Sequence, residues 1–303
     1  GVLGDSNVDM LIYLKNSDKL SAPKLFCGGT CANVAFGLAK LGNYVQFYGA
    51  IGNDIHGKFI KEDMIKSQIN IENLEIIDST NTAMVIGIID KEGERSLFVW
   101  PPNNAAHSKY SIKDPQLENT KKLDWLHVSG ISLREEVVRT SMLKAMKLCF
   151  ENNVTISFDL NLRVELWGLN SELKATIYEA ISYSEFVFGS LNEEFVNIFD
   201  SKNIKNEIKN IAHKDQVFII RDGPNGSFAY KNNLEYITPA IDIEPVDTVG
   251  AGDAFNTGFI HSMINTSNLE ISLLKANAVA AYKLLGESAR HLPNTKELET
   301  FLN

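Results

Sequence analysis

The chain has 303 residues, enough to bury a large core, and its 44% hydrophobic and 22% charged composition is that of an ordinary globular protein. A formal net charge of −9 argues against a surface built for nucleic acid or anionic lipid, while leaving room for a local basic pocket. The longest apolar runs, such as 83–89, are far too short to cross a bilayer, and no charged-then-apolar leader opens the chain, so the expected compartment is the cytoplasm.

Taken in order, short apolar runs alternate with longer amphipathic ones, which is the pattern of a parallel sheet with crossover helices. Residues 44–50, 125–129, 154–158, 186–188 and 217–220 read as buried strands. A helical period over 135–152 puts Val138, Met142, Ala145 and Cys149 on one face. A polar helix over 202–214 turns Ile204, Ile208 and Ile211 inward, and the last helix starts at Thr295, just after Pro293. Two stretches leave this α/β body and return, about 10–27 and 83–104; the second reads as a hairpin turning at 90–93. No repeat, low-complexity tract or linker divides the chain, so one domain over 1–303 is expected. The cysteines, Cys27, Cys31 and Cys149, form no even framework and share no zinc-ligand spacing with the histidines; each reads as a buried thiol.

The most informative segment is Val246-Asp247-Thr248-Val249-Gly250-Ala251-Gly252-Asp253-Ala254-Phe255. Gly250 and Gly252 let backbone N–H groups approach a ligand, and an apolar helical pattern (Phe255, Phe259, Ile260, Met263, Ile264) follows. A helix starting there aims unpaired N–H groups at an anion, and Asp253 beside it could take a proton from an attacking hydroxyl. Read alone, the segment is equally a Gly-rich turn with an aspartate cap.

This segment resembles the C-terminal signature of the PfkB (ribokinase-like) carbohydrate kinases, Asp-Thr-x-Gly-Ala-Gly-Asp. The family's N-terminal signature is matched by Gly28-Gly29-Thr30-Cys31-Ala32-Asn33-Val34-Ala35 with Leu38-Ala39-Lys40-Leu41-Gly42. Lesser marks come in family order: Gly4-Asp5-Ser6-Asn7-Val8-Asp9, the Gly52 to Gly57 turn, Phe158-Asp159-Leu160-Asn161-Leu162-Arg163 with Trp167, and Asp222-Gly223-Pro224-Asn225-Gly226. The resemblance covers essentially the whole chain. It implies a ribokinase-like α/β fold: a mainly parallel central sheet, helices on both faces, and a small β-sheet lid made by the two excursions. It also implies ATP-dependent phosphorylation of a sugar hydroxyl with Mg²⁺, K⁺ as a further candidate cofactor, and a lid through which a homodimer could form. No nucleic-acid or membrane partner is expected.

By resemblance Asp253 is the catalytic base, with the Gly250, Ala251 and Gly252 turn as the anion cradle. Asp9, Gly28, Gly29 and Asn33 match the sugar contacts. Their chemistry agrees, since a carboxylate can accept two neighbouring hydroxyls and an amide offers a donor and an acceptor to one diol. Ligands of open parallel sheets gather at the strands' C-terminal ends, where Asp5, Asn7 and Asp9 follow the first strand and Asp159 to Arg163 a later one. Asp5 and Asn7 read equally well as turn residues. Arg163, always charged, suits phosphate or an acidic sugar.

On the nucleotide side the expected residues are Asn161, Glu194, Arg221, Gly223, Gly226 and Asn277. Glu194 would meet the metal through water, Mg²⁺ being held mostly by phosphates. Leu191 stands where relatives carry Asn, and Arg221 where they often carry Thr or Lys. The run Gly52 to Lys58 imitates a P-loop, but Phe59 follows and has no hydroxyl for Mg²⁺.

The run over 158–167 looks most like fructokinases, 2-keto-3-deoxygluconate kinases and aminoimidazole riboside kinases. The lid stretch Ser96 to Asn104 has no arginine just before its prolines, and Lys91 and Arg95 are the only cations near, which tilts the expectation to a neutral sugar such as fructose. Acidic-sugar, ribokinase- or nucleoside-type kinases, and a non-catalytic sugar-binding relative, are the alternatives.

Overall fold

A computed structural model describes residues 1–14, 22–89 and 95–303. The expected hairpin turn at 90–93 lies outside the described residues. Among the described residues thirteen strands follow in chain order: β1 Val2–Leu3, β2 Asn7–Tyr13, β3 Lys24–Gly28, β4 Gln46–Gly52, β5 Asn70–Ile77, β6 Ala83–Ile89 and β7 Arg95–Trp100, then β8 Trp125–Ser129, β9 Thr155–Asp159, β10 Phe186–Ser190, β11 Val217–Arg221, β12 Ser227–Lys231 and β13 Leu234–Thr238.

The main sheet runs β13-β12-β11-β10-β9-β8-β1-β4-β5. Its strands from β11 to β5 pair in parallel, and the β12–β13 hairpin closes one edge antiparallel. Alternating side chains explain why both faces are covered. Leu3, Tyr48, Leu126, Val128, Ile156, Phe158 and Phe218 point into one core with the Glu136–Glu151 and Ser171–Tyr183 helices. Val2, Phe47, Trp125, Phe186, Phe188, Val217 and Ile219 point into the other, against the Thr30–Lys40, Ala251–Thr266 and Leu269–Leu284 helices. Cys27, Cys31 and Cys149 are buried and free, as expected.

The small sheet is also present, in the order β3-β2-β6-β7. One expectation is corrected here. Asn7 and Asp9 do not lie in a loop after β1; they sit on β2, inside the small sheet, because the chain turns at Gly4 to Ser6 and enters that sheet at once. Asn7 registers with Gly28 and Asp9 with Phe26 on β3. The β7 side chains Leu97, Phe98, Val99 and Trp100 are exposed. Among the described residues no helix is long and apolar enough to cross a membrane.

Candidate active site

Two helix starts, each preceded by glycine, stand near the C-terminal ends of the parallel strands. At the first, Asp5 follows β1 and caps the Thr30–Lys40 helix: its Oδ2 accepts from Thr30 N at 2.8 Å, and its Oδ1 from Cys31 N at 3.1 Å and Thr30 Oγ1 at 2.9 Å. The turn reading of Asp5 is therefore the observed one. Gly29 has φ +100°, and a Cβ there would stand 2.7 Å from Ser6 Cα and 2.8 Å from Asp5 O, so only glycine lets the two segments meet.

At the second, the Ala251–Thr266 helix begins behind Gly250 (φ 77°) with no side-chain cap. Gly250 must be bare, since a Cβ would fall 2.3 Å from Ala289 Cβ. Ala251 N donates to Thr248 O at 3.3 Å within the turn. The Gly252 and Asp253 amides belong to the helix's first turn, where no intrahelical acceptor exists. The sequence put the apolar helical pattern at Phe255; the helix starts four residues earlier because its first turn is small and polar.

Asp253 is joined to the first helix. Asn33 Nδ2 donates to its Oδ2 at 2.8 Å. Burial pushes the Asp253 carboxyl up to about 8; the Asn33 bond opposes this, the charges of Asp159 and Asp5 add to it, and that of Arg163 opposes it. The other amide atom, Asn33 Oδ1, is buried and has no hydrogen-bond partner among the described residues. A buried orphan acceptor beside a raised carboxyl is a place waiting for a hydroxyl donor.

Asp9 accepts from Asn7 Nδ2 at 2.7 Å. Burial lifts its carboxyl to about 7, the Asn7 bond lowering it and the charges of Asp5 and Asp247 raising it. Its carboxylate lies across Gly28, where a Cβ would stand 2.1 Å from Asp9 Oδ2. Asn7, left open by the sequence, thus orients Asp9.

Behind this end lies an ionic knot that the sequence did not anticipate. Arg221, at the end of β11, donates to Asp159 Oδ1 at 2.8 Å, Asp159 Oδ2 at 3.3 Å, Asn256 Oδ1 at 3.1 Å, Gly252 O at 3.2 Å and Glu194 Oε2 at 3.3 Å. Burial opposes its charge, but Asp159 and Glu194 outweigh that and raise its pKa. A Cβ on Gly252 would stand 2.9 Å from Arg221 Nη1, so the second glycine of the cradle makes room for this guanidinium. Asn256 Nδ2 also donates to Asp159 Oδ2 at 2.8 Å. Glu194 accepts from Ser190 N at 2.6 Å, and burial, aided by the Asp159 charge and opposed by Arg221, brings its carboxyl to about 7. Among the described residues no three His, Cys, Asp or Glu side chains gather as a metal cluster.

Asn161 (φ 35°) and Arg163 (φ 47°) both take left-handed backbone after β9. Asn161 Nδ2 donates to Ser129 Oγ at 3.3 Å, while Arg163 is exposed and its charge is felt by both Asp253 and Glu194. Gly223 (φ 54°) and Gly226 (φ 98°) shape the turn between β11 and β12. Asn277 has both ends of its amide engaged: Nδ2 donates to Thr238 O at 3.2 Å and Pro239 O at 3.0 Å, and Oδ1 accepts from Ser227 Oγ. It clamps the end of β13 to the Leu269–Leu284 helix.

A raised carboxyl next to an uncapped helix start, at the strand ends of a parallel sheet, is the arrangement of an enzyme that moves a phosphoryl group to an alcohol. Comparison with known proteins narrows the class: the chain belongs to the pfkB family carbohydrate kinases, whose family model matches residues 2–296. It is therefore a phosphotransferase acting on sugar hydroxyls, and the non-catalytic alternative falls.

The chain is 33% identical over 261 residues to a fructokinase of Vibrio alginolyticus, covering 86% of this chain and 82% of that one. It is 28% identical over 283 residues to the 5-dehydro-2-deoxygluconokinase of Listeria innocua, covering 91% and 86%. Among solved structures, a fructokinase double mutant from Vibrio cholerae with fructose, ADP and potassium ion bound superposes with TM-score 0.86 at 26% identity, covering 100% of this chain and 97% of that one. The aminoimidazole riboside kinase of Salmonella enterica gives 0.82 at 23% identity, covering 100% and 98%.

Proposed function

We propose that the protein transfers the γ-phosphoryl group of ATP to a hydroxyl of a neutral sugar, fructose or a similar ketose. The observation that carries the reading is the Asn33–Asp253 bond with its orphaned Asn33 Oδ1. Asp253 takes the proton of the acceptor hydroxyl, while the first-turn amides of Gly252 and Asp253 face the charge on the transferring group. Asp9 and Asn33 hold the sugar's other hydroxyls, with Gly28 and Gly29 as bare backbone beside them. Carboxylates crowd this end: Asp5, Asp9, Asp247 and Asp253. Among the described residues the small sheet's Lys24 is paired with Glu287, so a carboxylate-bearing sugar would have mainly Arg163 to meet it. This favours a neutral ligand, in line with the 33% identical fructokinase.

Arg163 is assigned to the sugar side, and Asn161, Glu194, Gly223 and Gly226 to the nucleotide side. Arg221 and Asn277 support it from behind, their donors being engaged within the protein. A Mg²⁺ ion would neutralise phosphate charge there. Glu194 is the residue at hand, but its Oε2 already serves Ser190 and Arg221, so contact through water suits it better than direct ligation. The exposed β7 face is where a lid-to-lid homodimer would form.

The second reading, an acidic-sugar kinase, is favoured by the relatives named 5-dehydro-2-deoxygluconokinase and by exposed Arg163. The test is ADP release over a sugar panel with purified protein. We expect the specificity constant for fructose to exceed those for 5-dehydro-2-deoxygluconate and 2-keto-3-deoxygluconate. A tenfold preference for either acid overturns the neutral-sugar reading.

A further inference from the structure

Lys283 is fully buried, an unusual state for a lysine, which is rarely desolvated unless paired. It lies in the last turn of the Leu269–Leu284 helix, where the helix dipole favours a cation. Its Nζ donates to Asp247 O at 2.5 Å. Asp247 opens the segment that ends in the Gly250–Gly252 cradle, and its carboxylate gathers the rest of that segment. Oδ1 accepts from Val249 N at 2.9 Å, and Oδ2 from Ser288 N at 2.8 Å and Tyr13 Oη at 3.4 Å. Val246 N donates to Leu284 O at 2.7 Å, and Ala289 packs against Gly250. One buried ammonium thus stands where the helix end, the cradle-bearing segment and the 286–290 turn meet.

The sugar-kinase family raises the question of a monovalent cation, since one fructokinase relative was solved with potassium bound. The residues around Asp247 do not call for one. The Asp247 carbonyl, an oxygen that a bare cation would want, already accepts from Lys283 Nζ, and the Asp247 carboxylate is occupied by two backbone amides and a phenol.

We propose that Lys283 is a built-in cation for this enzyme: a positioning residue whose ammonium fixes the 246–250 segment, and through it the anion cradle, without a bound monovalent ion. The inference rests on the sugar-kinase reading. Neutralising Lys283 would leave the Asp247 carbonyl without its donor and loosen the cradle, while Asp9, held by Asn7, and Asn33, within the Thr30–Lys40 helix, have anchors of their own.

Turnover and thermal midpoint should be measured for the parent protein in potassium chloride and in tetramethylammonium chloride at equal ionic strength. Both should agree, turnover within twofold. Lys283→Met should lower kcat by roughly 10²-fold, the scale of a misplaced reacting group, with KM for the sugar little changed. Lys283→Arg, which keeps the charge, should retain most of the activity. The smaller Lys283→Ala should gain thermal stability from potassium but not from tetramethylammonium, a readout independent of catalysis. Activation of the parent by potassium beyond twofold overturns the proposal, as does a folded Lys283→Met with parental turnover. Because the parent comparison needs no variant, a failure of Lys283→Met to fold leaves the test decisive. Loss of the sugar-kinase reading would show differently, as no ADP release in either salt, and the midpoints of parent and Lys283→Ala would still judge the cation.

Discussion

Asn33 and Asp253 lie 220 residues apart in sequence, yet Asn33 Nδ2 donates to Asp253 Oδ2 at 2.8 Å and so joins the starts of two helices across the cleft. The bond favours the carboxylate, while burial favours its protonated form and prevails, at about 8. A base in that range is well matched to taking a proton from an alcohol near neutral pH.

Asp253→Asn should lower kcat by about 10²–10⁴-fold, the usual worth of a general base, with sugar affinity less affected. Because only the ionised form can act, the parent's kcat/KM for the sugar should rise with pH and level off above about 8. A flat profile from about pH 6 to 9 would remove Asp253 from the role.

The same carboxyl affects stability in a definite direction. Between the unfolded value of 3.8 and the folded value of about 8, the native chain binds the proton that the unfolded chain has released, so stability falls as pH rises through that window. Asp9, raised to about 7, adds to the trend. Melting curves of Asp253→Asn and parent should therefore diverge in the variant's favour more at pH 8 than at pH 5. Equal differences at both values would contradict the shift.

Asp9→Ala should weaken sugar binding by about 1.5–3 kcal/mol, the range for hydrogen bonds to a charged group, and leave ATP binding without sugar unchanged. Gly28→Ala should act on the same pocket without touching its chemistry, because the new methyl would drive the Asp9 carboxylate aside. Its signature is a raised KM for the sugar. Calorimetry that found the nucleotide weakened instead would put Asp9 at the wrong end of the cleft.

Arg221→Met should destabilise the fold by about 3–5 kcal/mol, the cost of breaking a buried ion pair, because Asp159 and Glu194 would keep their burial without their partner. Chemical denaturation measures it directly. A loss below about 1 kcal/mol, the scale of a surface pair, would show that the knot is solvated.

Much of this was legible in the sequence because parallel strands are buried on both faces. The runs at 125–129 and 217–220 correspond to β8 and β11 nearly residue for residue. β5 and the β12–β13 hairpin went unread, being edge elements with half-exposed, mixed side chains, although Asn232-Asn233 was a hairpin signal now seen at φ 50° and 66°. At the site, the glycines and Asp253 could be read because backbone constraints leave marks in sequence. The engagement of Arg221 with Asp159, Glu194 and Asn256 could not, since Asp159 and Arg221 end two different strands while Glu194 and Asn256 sit in two different helical segments, with no spacing to connect them. Asp9 follows the first strand in sequence yet lies on β2, because one turn at Gly4 to Ser6 suffices to pass from one sheet into the next.

Asp5 gives the cleft a polarity. Its carboxylate plugs the amides at the start of the Thr30–Lys40 helix, whereas the Ala251–Thr266 helix begins without a side-chain cap. Of the two glycine-marked helix starts, the first is already neutralised by Asp5, with the charges of Asp9 and Asp253 near it, and under the proposed function the second is the one that receives an anion. A phosphorylated product therefore meets attraction at one end and repulsion at the other. It can leave, or rebind the way it was made, but it cannot turn round and occupy the sugar's place phosphate first.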